Sequence, residues 1–126
     1  MQLIYYTIGK DVKYLDLLSL SIESLCKYGN YTGDILVIAD SATQEAVKTL
    51  KDVTAIMPVA KVVKGYQASI NKLKIYKYSA IHNYTKILYL DMDILIQQDI
   101  QPMFDKIEKI EPDHDRDLFN EVTEAV

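Results

Sequence analysis

Apolar positions along the chain come in two patterns: short unbroken runs, and longer stretches where they recur every three or four places. Gln2–Ile8 holds Leu3, Ile4, Tyr5, Tyr6, Thr7 and Ile8 in succession, all residues that favour extended backbone. Asp34–Ala39, Val53–Val59 and Lys86–Asp91 carry similar runs. Runs without alternation predict strands covered on both faces, the situation of a parallel sheet. Pro58 near the end of the third run places that end at a sheet edge or a bend.

The recurring pattern predicts helices between these runs. Asp11 is a candidate N-cap for a helix to about Tyr28, with Leu15, Leu18, Ile22 and Leu25 as its buried stripe. Gly29 fits the position just past its end, and Lys27 suits the negative end of its dipole. Ser41 with Gln44 has capping-box spacing for a helix to about Lys51. Residues 60–68, with Gly65, read as a loop. Ser69 then opens a helix with Ile70, Leu73, Tyr76 and Ala80 on one face. After a further apolar piece, Ile94–Ile96, Pro102 suits the first turn of a helix to about Ile110.

Strands alternating with helices predict an α/β fold, a Rossmann-like and mostly parallel sheet with helices on both faces and right-handed crossovers. A chain of 126 residues has room for one such domain. We assign it to residues 1–110. Residues 111–126, acid-rich with Leu118, Phe119 and Val122, read as an acidic tail or terminal helix.

Composition adds exclusions. With 49 % hydrophobic and 25 % charged residues, this is an ordinary globular composition. The apolar runs are too short to span a bilayer, and the N-terminus has no secretory pattern. A single cysteine, Cys26, excludes an internal disulfide framework and a multi-cysteine zinc site. A reducing, cytoplasmic location is the expectation.

The net charge of -4 argues against nucleic acid as a partner. Its distribution is uneven. No acid occurs between Asp52 and Asp91, while Lys61, Lys64, Lys72, Lys74, Lys77 and Lys86 fall in that gap. The stretch is either a solvated basic face or a surface for a compact anion such as a diphosphate. Ten tyrosines and no tryptophan supply flat faces that carry a hydroxyl, suited to base and sugar contacts.

In open α/β sheets ligands bind beyond the carboxyl ends of the strands. This directs attention to Thr7–Asp11, Asp40, the loop 60–68, the helix start at 69–72, and Asp91–Asp93. Asp91-Met92-Asp93 follows an apolar run and precedes another. Two carboxylates two places apart at a strand end can serve a hard divalent cation. Equally, they can cap the next turn. Cys26 and His82 read as structural. No Gly-x-Gly-x-x-Gly and no Walker motif is present.

A wider pattern bears on that choice. Asn71-Lys72-Leu-Lys-Ile-Tyr, then Tyr84-Thr-Lys-Ile-Leu-Tyr-Leu-Asp91-Met-Asp93-Ile-Leu-Ile, then Asp99-Ile-Gln-Pro-Met-Phe104 resembles the nucleotide-sugar-binding core of GT-A glycosyltransferases. It is most similar to family 8, the glycogenin and lipopolysaccharide galactosyltransferase group. Tyr5-Tyr6-Thr7 and Tyr14 match the start of that pattern, so the resemblance covers roughly residues 2–105.

The resemblance implies a glycosyltransferase, or its donor-binding half, acting on a nucleotide sugar, a UDP-sugar first among them. It implies that Asp91 and Asp93 hold Mn²⁺ or Mg²⁺ against the donor diphosphate, with Asp91 also near the ribose and Met92 between them. It implies a base-site floor from the backbone of Tyr6, Thr7 and Ile8, a stacking ring from Tyr14, and a phosphate- or sugar-directed charge from Lys72. Members of the family are longer, and their third metal ligand, a histidine, comes far later than His114. No catalytic residue and no acceptor can be assigned. A donor-binding module without turnover, completed by a partner or by self-association, is the alternative. A phosphatase of the haloacid dehalogenase type is the more distant one, since Leu95 stands where that motif wants Thr or Val.

Overall fold

A computed structural model of the chain describes residues 1–107. The acidic segment 111–126, His114 and the expected helix end at Ile110 lie outside the described residues. Four strands form one sheet: β1 (Gln2–Ile8), β2 (Asp34–Asp40), β3 (Ala55–Val59) and β4 (Lys86–Tyr89). Their order is β3-β2-β1-β4, and all three pairings are parallel. Pro58 lies in β3, an edge strand, where its missing N–H breaks no internal ladder.

The unbroken apolar runs are explained by two-sided burial. Ile4, Tyr6 and Ile8 of β1, with Ile35, Val37 and Ala39 of β2, face one core. Leu3 and Tyr5, with Leu36 and Ile38, face the other. Helix α1 (Leu15–Lys27) adds Leu18, Ile22 and Leu25 to the first core, as its spacing predicts, with Leu15 half-buried beside them. Helix α4 (Gln101–Asp105) adds Phe104, whose ring stacks on Tyr31 at 5.8 Å between centroids. The second core is closed by Ile75 and Ile81. Helices on both faces thus follow from the pattern, and among the described residues all strand pairings are parallel, as expected.

Several helix boundaries differ from expectation. Asp11 caps a single 3-10 turn, Val12–Tyr14, by accepting from Lys13 N at 2.9 Å; the α-helix starts only at Leu15. Helix α2 spans just Gln44–Val47, not Ser41 to Lys51. Ser41 caps nothing, because Thr43 and Gln44 turn back onto Asp40 and Ala39 instead. Helix α3 runs from Gly65 to Asn71, so it opens four residues before Ser69. Gln67 is the reason: its Oε1 accepts from Val63 N and Lys64 N at 2.9 and 3.0 Å, satisfying amides ahead of the first turn. Beyond α3 the chain tightens to a 3-10 helix, Lys72–Lys77. Three residues per turn shifts the phase, so Ile75 is buried while Ile70, Leu73, Tyr76 and Ala80 are only half-buried.

Gly29 follows α1, but the left-handed residue is Asn30, at φ 54°. Gly29 is required for another reason. A Cβ there would lie 2.5 Å from the Leu25 carbonyl oxygen.

Candidate functional site

Parallel strands bring their carboxyl ends, Ile8, Asp40, Val59 and Tyr89, to one end of the sheet. From β1 the chain steps to β2 and β3 on one side, then returns to β4 on the other. The topological switch point therefore lies between β1 and β4, where such sheets bind ligands.

A cavity of about 310 Å³ opens there. Thr7 and Ile8 from the end of β1, Tyr14 from the 3-10 turn, and Met92 from beyond β4 line it. Four residues of the expected donor site thus share one cavity. Val62, Gly65, Ala68 and Asn71 form the opposite wall, and Gly9 and Lys10 complete it. Tyr14 is half-buried, with the Lys13 ammonium 5.3 Å from its ring centroid. Tyr6 stands apart: its side chain is fully buried in the first core and its hydroxyl meets Ser21 Oγ at 2.9 Å. Only its backbone, in register with Val37, belongs to the strand that floors the site.

Tyr89 ties the remaining residues together. Its hydroxyl lies 3.3 Å from Thr7 Oγ1, and Lys72 Nζ sits 5.7 Å from its ring centroid. Burial chiefly raises the Tyr89 hydroxyl above its ordinary pKa; Asp91 as acceptor and the charges of Asp91 and Asp93 raise it further, against a lowering contribution from Thr7. The Lys72 backbone is fixed as well, since Tyr5 Oη donates to its carbonyl at 2.8 Å. One phenol thus touches both Thr7 and Lys72, with the charges of Asp91 and Asp93 near enough to act on it. Tyr89 lies within the Asp-x-Asp run, but no feature of that run signals this role.

Asp91 and Asp93 are exposed on a turn closed by Ile94 N donating to the Asp91 carbonyl at 3.1 Å. Helix α1 anchors the segment just beyond this turn. Ser21 Oγ donates to the Ile94 carbonyl at 2.6 Å, and Ser24 Oγ accepts from Ile96 N at 2.9 Å. Among the described residues no third His, Cys, Asp or Glu joins the pair. Two exposed carboxylates suit a hard cation that takes its other ligands from phosphate and water. The residues present therefore fit Mn²⁺ or Mg²⁺.

Asp40, a strand-end candidate from the sequence, has a different place. It is fully buried, and its Oδ2 accepts from Lys10 N at 2.9 Å and Val62 N at 2.8 Å, while Oδ1 accepts from Thr43 Oγ1 at 2.9 Å. Burial pushes its pKa up, but these bonds, with one from the Ala42 amide, outweigh it and hold the carboxyl below its ordinary value. The carboxylate clamps the strand end to the cavity wall. Lys10 keeps a left-handed φ of 74° within that clamp.

The remaining candidates lie elsewhere. Cys26 packs half-buried against the first core, and burial, then Asp52, pushes its thiol up. His82 is exposed on the turn before β4, at the other end of that strand. Among the described residues no helix is long and apolar enough to cross a membrane.

The fold has solved counterparts. The chain superposes on the galactosyltransferase LgtC, solved in complex with donor and acceptor sugar analogs, with a TM-score of 0.61 and 19 % identity. The match covers 85 % of this chain and 43 % of LgtC. An active-site mutant of LgtC matches with the same score and identity over 85 % of this chain and 42 % of that one. The apo-form glycosyltransferase GlyE of Streptococcus pneumoniae TIGR4 matches with a TM-score of 0.56 and 18 % identity, over 85 % of this chain and 26 % of GlyE. No protein-family model and no curated protein matches the sequence. The chain has the Rossmann-like α/β fold of one half of a GT-A glycosyltransferase. It spans less than half the length of LgtC.

Proposed function

We propose that this chain is the donor-binding half of a glycosyltransferase of the family 8 type, and that it takes a nucleotide sugar, a UDP-sugar first. One juxtaposition carries the reading. At the switch point of a GT-A fold, a cavity lined by Tyr14 and Met92 lies beside a turn bearing two exposed carboxylates, and Tyr89 joins Thr7 of that cavity to Lys72.

In this reading the base enters the cavity against Tyr14, over the backbone of Tyr6, Thr7 and Ile8. The diphosphate lies outward, toward Lys72 and the Asp91–Asp93 turn. Asp91 and Asp93 hold Mn²⁺ or Mg²⁺, and Met92 lies between them at the cavity rim. The cation, when bound, supplies positive charge that stabilises the departing nucleoside diphosphate. Lys72 adds a mobile point charge to the same oxygens. Ser21 and Ser24 hold the segment just beyond the Asp91–Asp93 turn on α1, so the backbone that carries the carboxylates needs little reordering when a ligand arrives. Sugar transfer and its acceptor belong to the same proposal.

Calorimetric titration of UDP-sugars, with and without Mn²⁺, tests it. The expected result is metal-dependent heat that disappears in Asp93→Ala. Absence of binding in both conditions overturns the reading. Release of UDP from bound donor separates an enzyme from a donor-binding module.

A further inference from the structure

We propose that Asn71 hydrogen-bonds the nucleoside inside the cavity and is a specificity-determining contact, separate in role from its phosphate-directed neighbour Lys72. The inference rests on the donor-binding reading and goes beyond it by giving a role to a residue to which the sequence pattern assigns none.

Asn71 closes α3 and is only 5 % exposed. Its side chain forms part of the cavity wall, among Ile8, Tyr14, Val62, Ala68 and Met92. Every fully covered side-chain polar atom among the described residues has a hydrogen-bond partner. The Asn71 amide has none among those residues, and the little surface it keeps belongs to the cavity. A polar group that is nearly buried yet unpartnered costs stability unless something completes it.

The surroundings select the ligand part. No carboxylate lines the cavity, and its one charged residue, Lys10, is exposed. A diphosphate has little to hold it there. A neutral amide, which both donates and accepts, matches the imide edge of a pyrimidine or a ribose hydroxyl. At about 310 Å³ the cavity is at the small end of ligand pockets, suited to a nucleoside rather than a whole nucleotide sugar.

The test uses uridine, UMP and UDP as probes, titrated calorimetrically into the wild type, Asn71→Leu and Asn71→Ala. Thermal melts without nucleotide accompany the titrations. Both variants are expected to lose about tenfold in affinity for all three probes alike. Asn71→Leu is expected to melt no lower than the wild type, because an apolar side chain there leaves no unpartnered amide. A wild type that binds uridine and a variant that binds it within about twofold overturn the proposal. So does a loss confined to UDP, which makes Asn71 a phosphate contact. If the wild type binds none of the probes, the donor-binding reading itself fails. Should Asn71→Leu not fold, Asn71→Ala carries the comparison.

Discussion

The carboxylate of Asp40 accepts the Val62 amide proton at 2.8 Å, so the end of β2 sets the wall of a cavity that Asp40 itself does not line. Removing that carboxylate orphans the Lys10 and Val62 amides together, while the Thr43 hydroxyl keeps the Ile8 and Asp40 carbonyls as acceptors. Asp40→Ala is therefore expected to destabilise the fold by about 3 kcal/mol, read from urea denaturation. The sign of its pH dependence follows from a depressed folded pKa. The stabilisation is present above the unfolded value and is lost as pH falls through the folded one. Wild-type stability should thus fall more steeply below pH 3.8, the ordinary value, than that of Asp40→Asn. Parallel acid limbs in the two proteins count against the clamp.

Alkaline pH tests the first core. Burial pushes the Tyr6 hydroxyl up to about 12 from 10.0, against a lowering contribution from its Ser21 bond. A raised folded pKa means that the stabilisation is complete below pH 10 and is lost as pH rises toward 12. Tyr6→Phe should cost about 1 kcal/mol at neutral pH through the lost hydrogen bond. The gap to the wild type should narrow above pH 10, because the variant has no phenol to ionise there. Denaturation midpoints at neutral and alkaline pH decide it; a gap that stays constant sinks the idea.

Strand positions, their order along the chain and the two-sided burial were legible because each apolar run is unbroken. The α1 stripe was legible for the same reason. Helix starts were not, because they depend on single side-chain choices. Thr43 bonds to Asp40 instead of letting Ser41 cap a helix, and Gln67 caps α3 from within. Within the candidate site, Thr7, Ile8, Tyr14 and Met92 came from a motif and a strand-end rule. Asp40, the loop with Val62 and the segment with Asn71 were flagged by the strand-end rule, but their roles were not legible, because these arise from contacts across long sequence separation. Asp40 to Val62 spans 22 positions, and no periodicity in the chain encodes that bond.

Ser24 offers a way to loosen the Asp91–Asp93 turn without touching it. Its hydroxyl donates to the Ser21 carbonyl at 2.7 Å and accepts from Ile96 N at 2.9 Å. Ser24→Ala leaves the Ile96 amide unpaired and should cost about 1–2 kcal/mol. If the docked segment presets the carboxylates, metal-dependent UDP binding should weaken more than metal-independent binding. Calorimetry with and without Mn²⁺ measures both. An equal loss in the two conditions makes Ser24 a stability residue only.

Gly9, just past the end of β1, lies tight against Val62 of the cavity wall. A Cβ on Gly9 would lie 2.8 Å from Val62 Cγ2, a distance that real Cβ atoms essentially never show. Val62 is 2 % exposed and its amide is held by Asp40, so it cannot swing away freely. Gly9→Ala should destabilise by about 1–3 kcal/mol through overpacking. Val62→Ala removes the clashing methyl but leaves a small void. Combined, the two changes should cost less than the sum of their separate costs by about 1 kcal/mol, since the new methyl fills part of the space Val62 gives up. A double-mutant cycle from denaturation midpoints measures that coupling. If the costs add to within about 0.5 kcal/mol, the need for glycine at this strand end comes from something other than its approach to Val62.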